Sequence, residues 1–236
     1  LTTSTAVNPR ELSVRASGKR LDREEPPNPM KARPLPPPAP QPANEVDPGT
    51  PGPFKTTTGQ YTVDSITLPG YPQAIEMQAV VVAPVHAPGR RPLALFLHGR
   101  HTTCYDPADP NFINIDWPCA PGKKSIPSYM GYQQAQQLLA SQGYVTVSIS
   151  ANGINGQDAD TIDQGAQGRS SLVRQHLARW ADWSAGRGTA PSAVSVPADM
   201  SKVLLVGHSR GGEGVNRAAS DSLYPPPGDT GFNGPV

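Results

Sequence analysis

Short apolar runs alternate with amphipathic stretches from residue 60 onward, and each spacing predicts an element. Gln60–Leu68 alternates apolar and polar residues as a half-buried strand does, and Ala74–Ala83 reads as a second strand. Leu93–Leu97 is continuously apolar, which predicts a strand covered on both faces. Tyr129–Gln142 carries Ala135, Leu138 and Leu139 at helical spacing, with Gly143 placed to end the helix. Tyr144–Ile149 is a further strand. Arg169–Ala185 is a helix with Leu172, Val173, His176, Leu177, Trp180 and Trp183 on one face. Lys202–Val206 then predicts a strand and Gly211–Leu223 a helix. Residues 99–127 read as a loop. The succession predicts an α/β fold with a doubly wound, mostly parallel sheet.

Composition changes sharply upstream of this pattern. Twelve prolines fall between Pro26 and Pro53, where large apolar residues are few. Such a stretch can sustain neither ladder nor helix hydrogen bonds, and it buries too little to offset its chain entropy. Residues 1–54 are therefore expected to be a Pro-rich tail or tether, and residues 55–236 the folded part. A formal net charge of +1 with 17% charged residues argues against nucleic acid or an anionic membrane as partner. No apolar run is long enough for a transmembrane segment. The chain begins at Leu1 and lacks a signal-peptide pattern, so a processed or excised chain is expected.

Candidate chemistry gathers at Val203–Gly212, where an apolar run leads straight into Gly-His-Ser-Arg-Gly-Gly. A Gly-x-Ser-x-Gly turn between strand and helix holds its serine in a strained conformation, and the flanking glycines, Gly207 and Gly211, leave room for the chain's close approach. Ser209 is the candidate nucleophile; it requires an imidazole base and a carboxylate behind that base. The backbone N–H of Arg210, at the start of the helix, is the first candidate oxyanion-hole donor. Cys104 and Cys119 are the only cysteines and share one polar loop. Their pairing would close a short loop and favour an extracellular setting; two free thiols are the alternative.

Three segments together resemble the α/β-hydrolase superfamily: Leu95–Arg100 with its His-Gly, Leu138–Val145, and Gly207–Gly212. Within it they are most similar to chlorophyllases, dienelactone hydrolases and bacterial cutinase or polyester hydrolases, and the loops resemble those of secreted actinobacterial hydrolases. The resemblance implies a serine esterase that forms an acyl-enzyme, acts on a small or polymeric ester, and requires no cofactor or metal. It also implies that the backbone N–H of Arg100 is the second oxyanion donor. The superfamily places its acid and then its histidine after the nucleophile. After Ser209 come only Glu213, Asp221 and Asp229, and no histidine. The expectation is thus an N-terminal part of a hydrolase, inactive alone, with acid and histidine beyond residue 236. A second chain or downstream segment would cover the open sheet edge. A non-catalytic module of the same fold, or a peptidase, is the alternative.

The remaining polar residues carry bland expectations. His208 is expected to pack under the elbow, His98 to anchor its loop, His176 to be packed, and His86 to sit in a turn. His101 follows the oxyanion loop. Asp158, Asp160 and Asp163 are expected in a solvated polar loop, with lining a substrate cleft or binding a cation as the alternative.

Overall fold

The computed structural model describes residues 15–16, 19–20 and 47–236. The first four form a short antiparallel ladder, β1 (Arg15–Ala16) with β2 (Lys19–Arg20). Otherwise the tail expected over residues 1–46 lies outside the described residues. The last part of that expected tail is fixed in place. Gly52 N–H donates to Ser141 Oγ at 2.8 Å, and Phe54 N–H donates to Ser141 O at 3.0 Å.

A five-stranded sheet follows, built from β3 (Thr56–Ile66), β4 (Ile75–Pro84), β5 (Arg91–Leu97), β9 (Val145–Ile149) and β10 (Ala198–Gly207). Its order is β10-β5-β9-β4-β3; β10, β5 and β9 run parallel, while β4 and β3 are antiparallel to their neighbours. Period-two alternation divides the side chains between the two faces. Ala79, Val81, Leu93, Leu95, Leu97, Val145, Val147 and Ile149 face α3 (Ala166–Ser184) and α4 (Arg210–Leu223). There they meet Leu172, Leu177, Trp180, Val215 and Ala218 in one core. The other face takes α1 (Gln133–Ser141), and the one-turn α2 (Asn152–Asn155) follows β9. Helices on both faces make the sheet doubly wound, as the sequence pattern predicts.

Three details depart from that pattern. In α1 the buried residues are Gln136, Ala140 and Ser141, whereas Leu138 and Leu139 are half-buried and Ala135 is exposed. Gln136 reaches the sheet because its amide donates to Val80 O at 3.2 Å and Thr146 Oγ1 at 3.3 Å. The second is β10, whose apolar run is covered on one face only because the strand forms a sheet edge, where an open one is expected from the sequence. Val203 and Leu205 pack on the core, but Leu204 is 42% exposed because α1 lies over β4 and β9. The third is the loop at 99–127, which holds a second, three-stranded sheet. Its strands are β6 (Cys104–Asp106), β7 (Asp109–Asn114) and β8 (Lys124–Ser125), in the order β7-β6-β8. A Cys104–Cys119 disulfide closes it.

The final residues, 224–236, are fastened to α3. The buried Arg174 places Nη1 2.7 Å from Asp229 Oδ2, and its Nε donates to Phe232 O at 2.9 Å. No helix among the described residues is long and apolar enough to cross a membrane.

Candidate functional site

Gly207, Leu97 and Ile149 stand side by side in the sheet, so the loops after β10, β5 and β9 leave it from one row. The chain passes from β5 to β9 on one side of β5 and later to β10 on the other. The carboxyl ends of strands around such a reversal form a crevice. Ser209 sits there between β10 and α4, with φ 53° and ψ −126°. This left-handed φ is a conformation L residues rarely adopt. The turn is tight enough to exclude side chains on both flanks. A Cβ on Gly207 would lie 2.3 Å from Gly211 O, and one on Gly211 would lie 2.3 Å from Leu97 O. A third glycine belongs to the same packing: a Cβ on Gly99 would come within 2.9 Å of Ser209 Cβ. The His98-Gly99 pair is the sequence signal for that approach.

The Ser209 hydroxyl has no hydrogen-bond partner among the described residues, and the residue is exposed. It lines a cleft of about 480 Å³ together with Arg100, His101, Ser128, Tyr132 and His208. The Ser128–Tyr132 turn forms the facing wall, where Tyr132 packs on Phe96 with ring centres 5.7 Å apart. Gly211 N–H and Gly212 N–H are spent on His208 O and Ser209 O, each at 2.8 Å. The N–H groups of Arg210 and Arg100 have no partner among the described residues.

Behind the loop after β5 stands a buried ionic cluster. Asp158 is fully buried and binds two arginines: Arg169 Nη2 at 2.7 Å and Arg100 Nε at 2.8 Å. Arg169 Nη2 also donates to Asn155 Oδ1 at 2.6 Å, and Asn155 Nδ2 donates to Gly99 O at 3.1 Å. Asp158 is thus no part of a solvated loop. Its burial is possible because two guanidiniums replace the lost water. Asp160 is exposed, and Asp163 accepts the N–H of Gly165 at 3.1 Å and of Gln167 at 2.8 Å at the start of α3. The loop after β9 is held in turn by Glu76. Its carboxyl accepts Ser150 Oγ and Asn152 N–H, each at 2.7 Å, and Gly153 N–H at 2.9 Å.

All five histidines can be placed. His98 Nε2 accepts Ala151 N–H at 2.9 Å, so Nδ1 carries the proton and points to Gly99 O at 2.9 Å and His101 Nε2 at 3.1 Å. His101 Nδ1 is hydrogen-bonded to Thr102 O, which engages both of its ring nitrogens. His176 is buried and shares a 2.7 Å hydrogen bond with the Tyr61 hydroxyl. His86 is exposed in the turn after β4. His208 does not pack under the elbow: β10 is at the sheet edge, and the residue is exposed, with Nδ1 lying over Gly99. No described histidine hydrogen-bonds to Ser209.

Burial pushes His176 down to about 3, with Arg179 adding to the shift, and His98 down to about 4. The ring resonances of both should stay flat in an NMR titration from about pH 8 to about pH 5, since an ordinary imidazole titrates near 6.5. Below about 6.5 the unfolded chain takes up protons that the folded rings refuse. Each ring therefore removes stability as pH falls toward its folded value, at roughly 1.4 kcal/mol per pH unit. Glu76, raised by burial, acts in the opposite sense. A titration step near 6.5 at either ring would contradict its burial.

No family model and no curated protein matches the chain. Solved structures do. A protein assigned as a dienelactone hydrolase from Klebsiella pneumoniae subsp. pneumoniae is 14% identical, with a TM-score of 0.37, over 70% of this chain and 55% of that one. A ferulic acid esterase from Streptomyces cinnamoneus is 16% identical, with a TM-score of 0.46, over 75% of this chain and 58% of that one. A brefeldin A esterase, described as a bacterial homologue of human hormone-sensitive lipase, is 17% identical, with a TM-score of 0.36, over 71% of this chain and 35% of that one. The chain thus spans between 35% and 58% of the length of these three structures.

Proposed function

We propose that this chain is the nucleophile-bearing part of a serine ester hydrolase, with Ser209 attacking the ester carbonyl to form an acyl-enzyme. The observation that carries the reading is the backbone of Ser209. A φ of 53° is costly for serine, and the close approach at Gly207 and Gly211 maintains it while the hydroxyl stays exposed in a cleft. The unpartnered N–H groups of Arg210 and Arg100 are the proposed oxyanion donors; each such donor contributes about 3 kcal/mol to the transition state. The substrate is a small or polymeric carboxylic ester. The disulfide suits an extracellular setting.

The general base and its carboxylate are proposed to come from outside residues 1–236. The support is chemical. The ring nitrogens of His98 and His101 are engaged with each other and with backbone, His176 is buried against Tyr61, and His208 makes no bond to Ser209. A fluorophosphonate probe tests this. The chain alone should show no Ser209-dependent labelling above background, and added imidazole, acting as a base from solution, should restore labelling in the parent chain but not in Ser209→Ala. Strong labelling without imidazole would show that the chain holds its own base. No labelling under either condition would favour a non-catalytic module of this fold.

A further inference from the structure

The charges around the cleft do not balance. Asp158 carries one negative charge and is the shared partner of two guanidiniums, Arg169 and Arg100. Arg169 is fully buried, and its Nη atoms are committed to Asn155, Gln164 O and Asp158. The surplus positive charge is therefore presented through Arg100, whose side chain is 37% exposed and lines the cleft. Only its Nε is bonded to Asp158; its two terminal nitrogens have no hydrogen-bond partner among the described residues.

Other carboxylates nearby are already occupied. Glu213 is paired with Arg210 at 3.2 Å, Asp163 binds amides at the start of α3, and Glu76 faces Ser150–Gly153. The cleft lining itself contains no carboxylate among the described residues.

We propose that the cleft beside Ser209 binds esters that bear a carboxylate elsewhere in the molecule, and that the Arg100 guanidinium is the group that receives it. Gly99 packs directly on Ser209, so Arg100 is one residue step, about 3.8 Å of chain, from that contact. A short spacer then separates the carboxylate from the ester. Arg100 offers the charge and the planar donors that a carboxylate takes, and a cleft lined by one sign of charge concentrates the opposite ion. The inference rests on the reading of Ser209 as an ester-cleaving nucleophile, but binding can be measured without turnover.

The probes are monomethyl succinate, an ester with a free carboxylate, and the neutral dimethyl succinate, titrated into the chain and followed by NMR. At about pH 8, above the ordinary imidazole range, the guanidinium effect is isolated. The monoester should bind roughly tenfold more tightly. That preference should shrink as salt is raised from about 0.02 M to about 0.5 M. Arg100→Gln should remove it, and Arg100→Lys should keep part of it. The salt series uses the parent chain, so it holds even where a substitution disturbs folding. Equal affinities, a preference that survives in Arg100→Gln with a native spectrum, or no binding of the monoester would each overturn the proposal. If the preference holds but Ser209 is never labelled, the nucleophile reading fails alone. If labelling holds without a preference, this inference fails alone.

Discussion

Gly211→Ala is expected to destabilise the folded chain by about 3 kcal/mol or more, lowering its melting temperature by roughly 10 °C. The added methyl would stand 2.3 Å from Leu97 O and 2.7 Å from His98 O, both backbone atoms at the end of a central strand. Neither can rotate away as a side chain can, so relief requires α4 or β5 to move. Any such movement also displaces Ser209, which stands at the N-cap of α4. Gly212→Ala supplies the contrast within the same turn. Its nearest neighbour would be 3.6 Å away, an ordinary van der Waals distance, and alanine is the better helix former. Thermal melts should therefore separate adjacent glycines strongly, and similar melting temperatures for the two variants would refute the packing argument.

Asp158→Asn is expected to cost about 3–5 kcal/mol by a different route, roughly the penalty for leaving a buried charge without its partner. Arg169 is fully buried and would face an amide, and Arg100 would lose the anchor of its Nε. Denaturant unfolding measures the loss. Substituting both Asp158 and Arg169 with apolar residues should recover part of it, because the uncompensated charge is then gone. An exposed pair such as Asp182 with Arg187, whose side chains are 50% and 64% exposed, should show almost nothing when broken. A small effect at Asp158 would mean that water reaches the cluster.

The contrast between these two sites explains which features are legible along the chain. The elbow is local: the apolar run, the two glycines and the serine are contiguous, so Gly207–Gly211 can be read directly. The strands at Leu93–Leu97 and Tyr144–Ile149 are legible for the same reason, since burial on both faces leaves a continuous apolar run. Asp158 reads as solvated in the sequence because its partners stand 58 residues before it and 11 after it. An arginine at position 169, on a helix whose next turn is Leu172-Val173, is the one hint of its burial. Gln136 is hidden similarly, since a glutamine is buried only when the sheet supplies Val80 O and Thr146 Oγ1. The exposure of Leu204 and His208 depends on strand order, which no local pattern encodes. The three strands within 99–127 are two to six residues long and lack the alternation that would mark them.

The pairing of β10 with β5 shifts between Asp199 and Val203 and then runs unbroken to Gly207. That irregularity divides the strand into an elastic half and a measured one. Between Ala198 and Lys202 the chain can gain or lose a residue at the bulge without altering the downstream register. From Val203 onward each residue has an assigned partner, and a slip by one would turn Leu205 away from α3 and α4 and present Leu204 in its place. The segment from Val203 to Ser209 therefore works as a ruler: its length, more than its composition, sets how far the serine projects beyond the sheet.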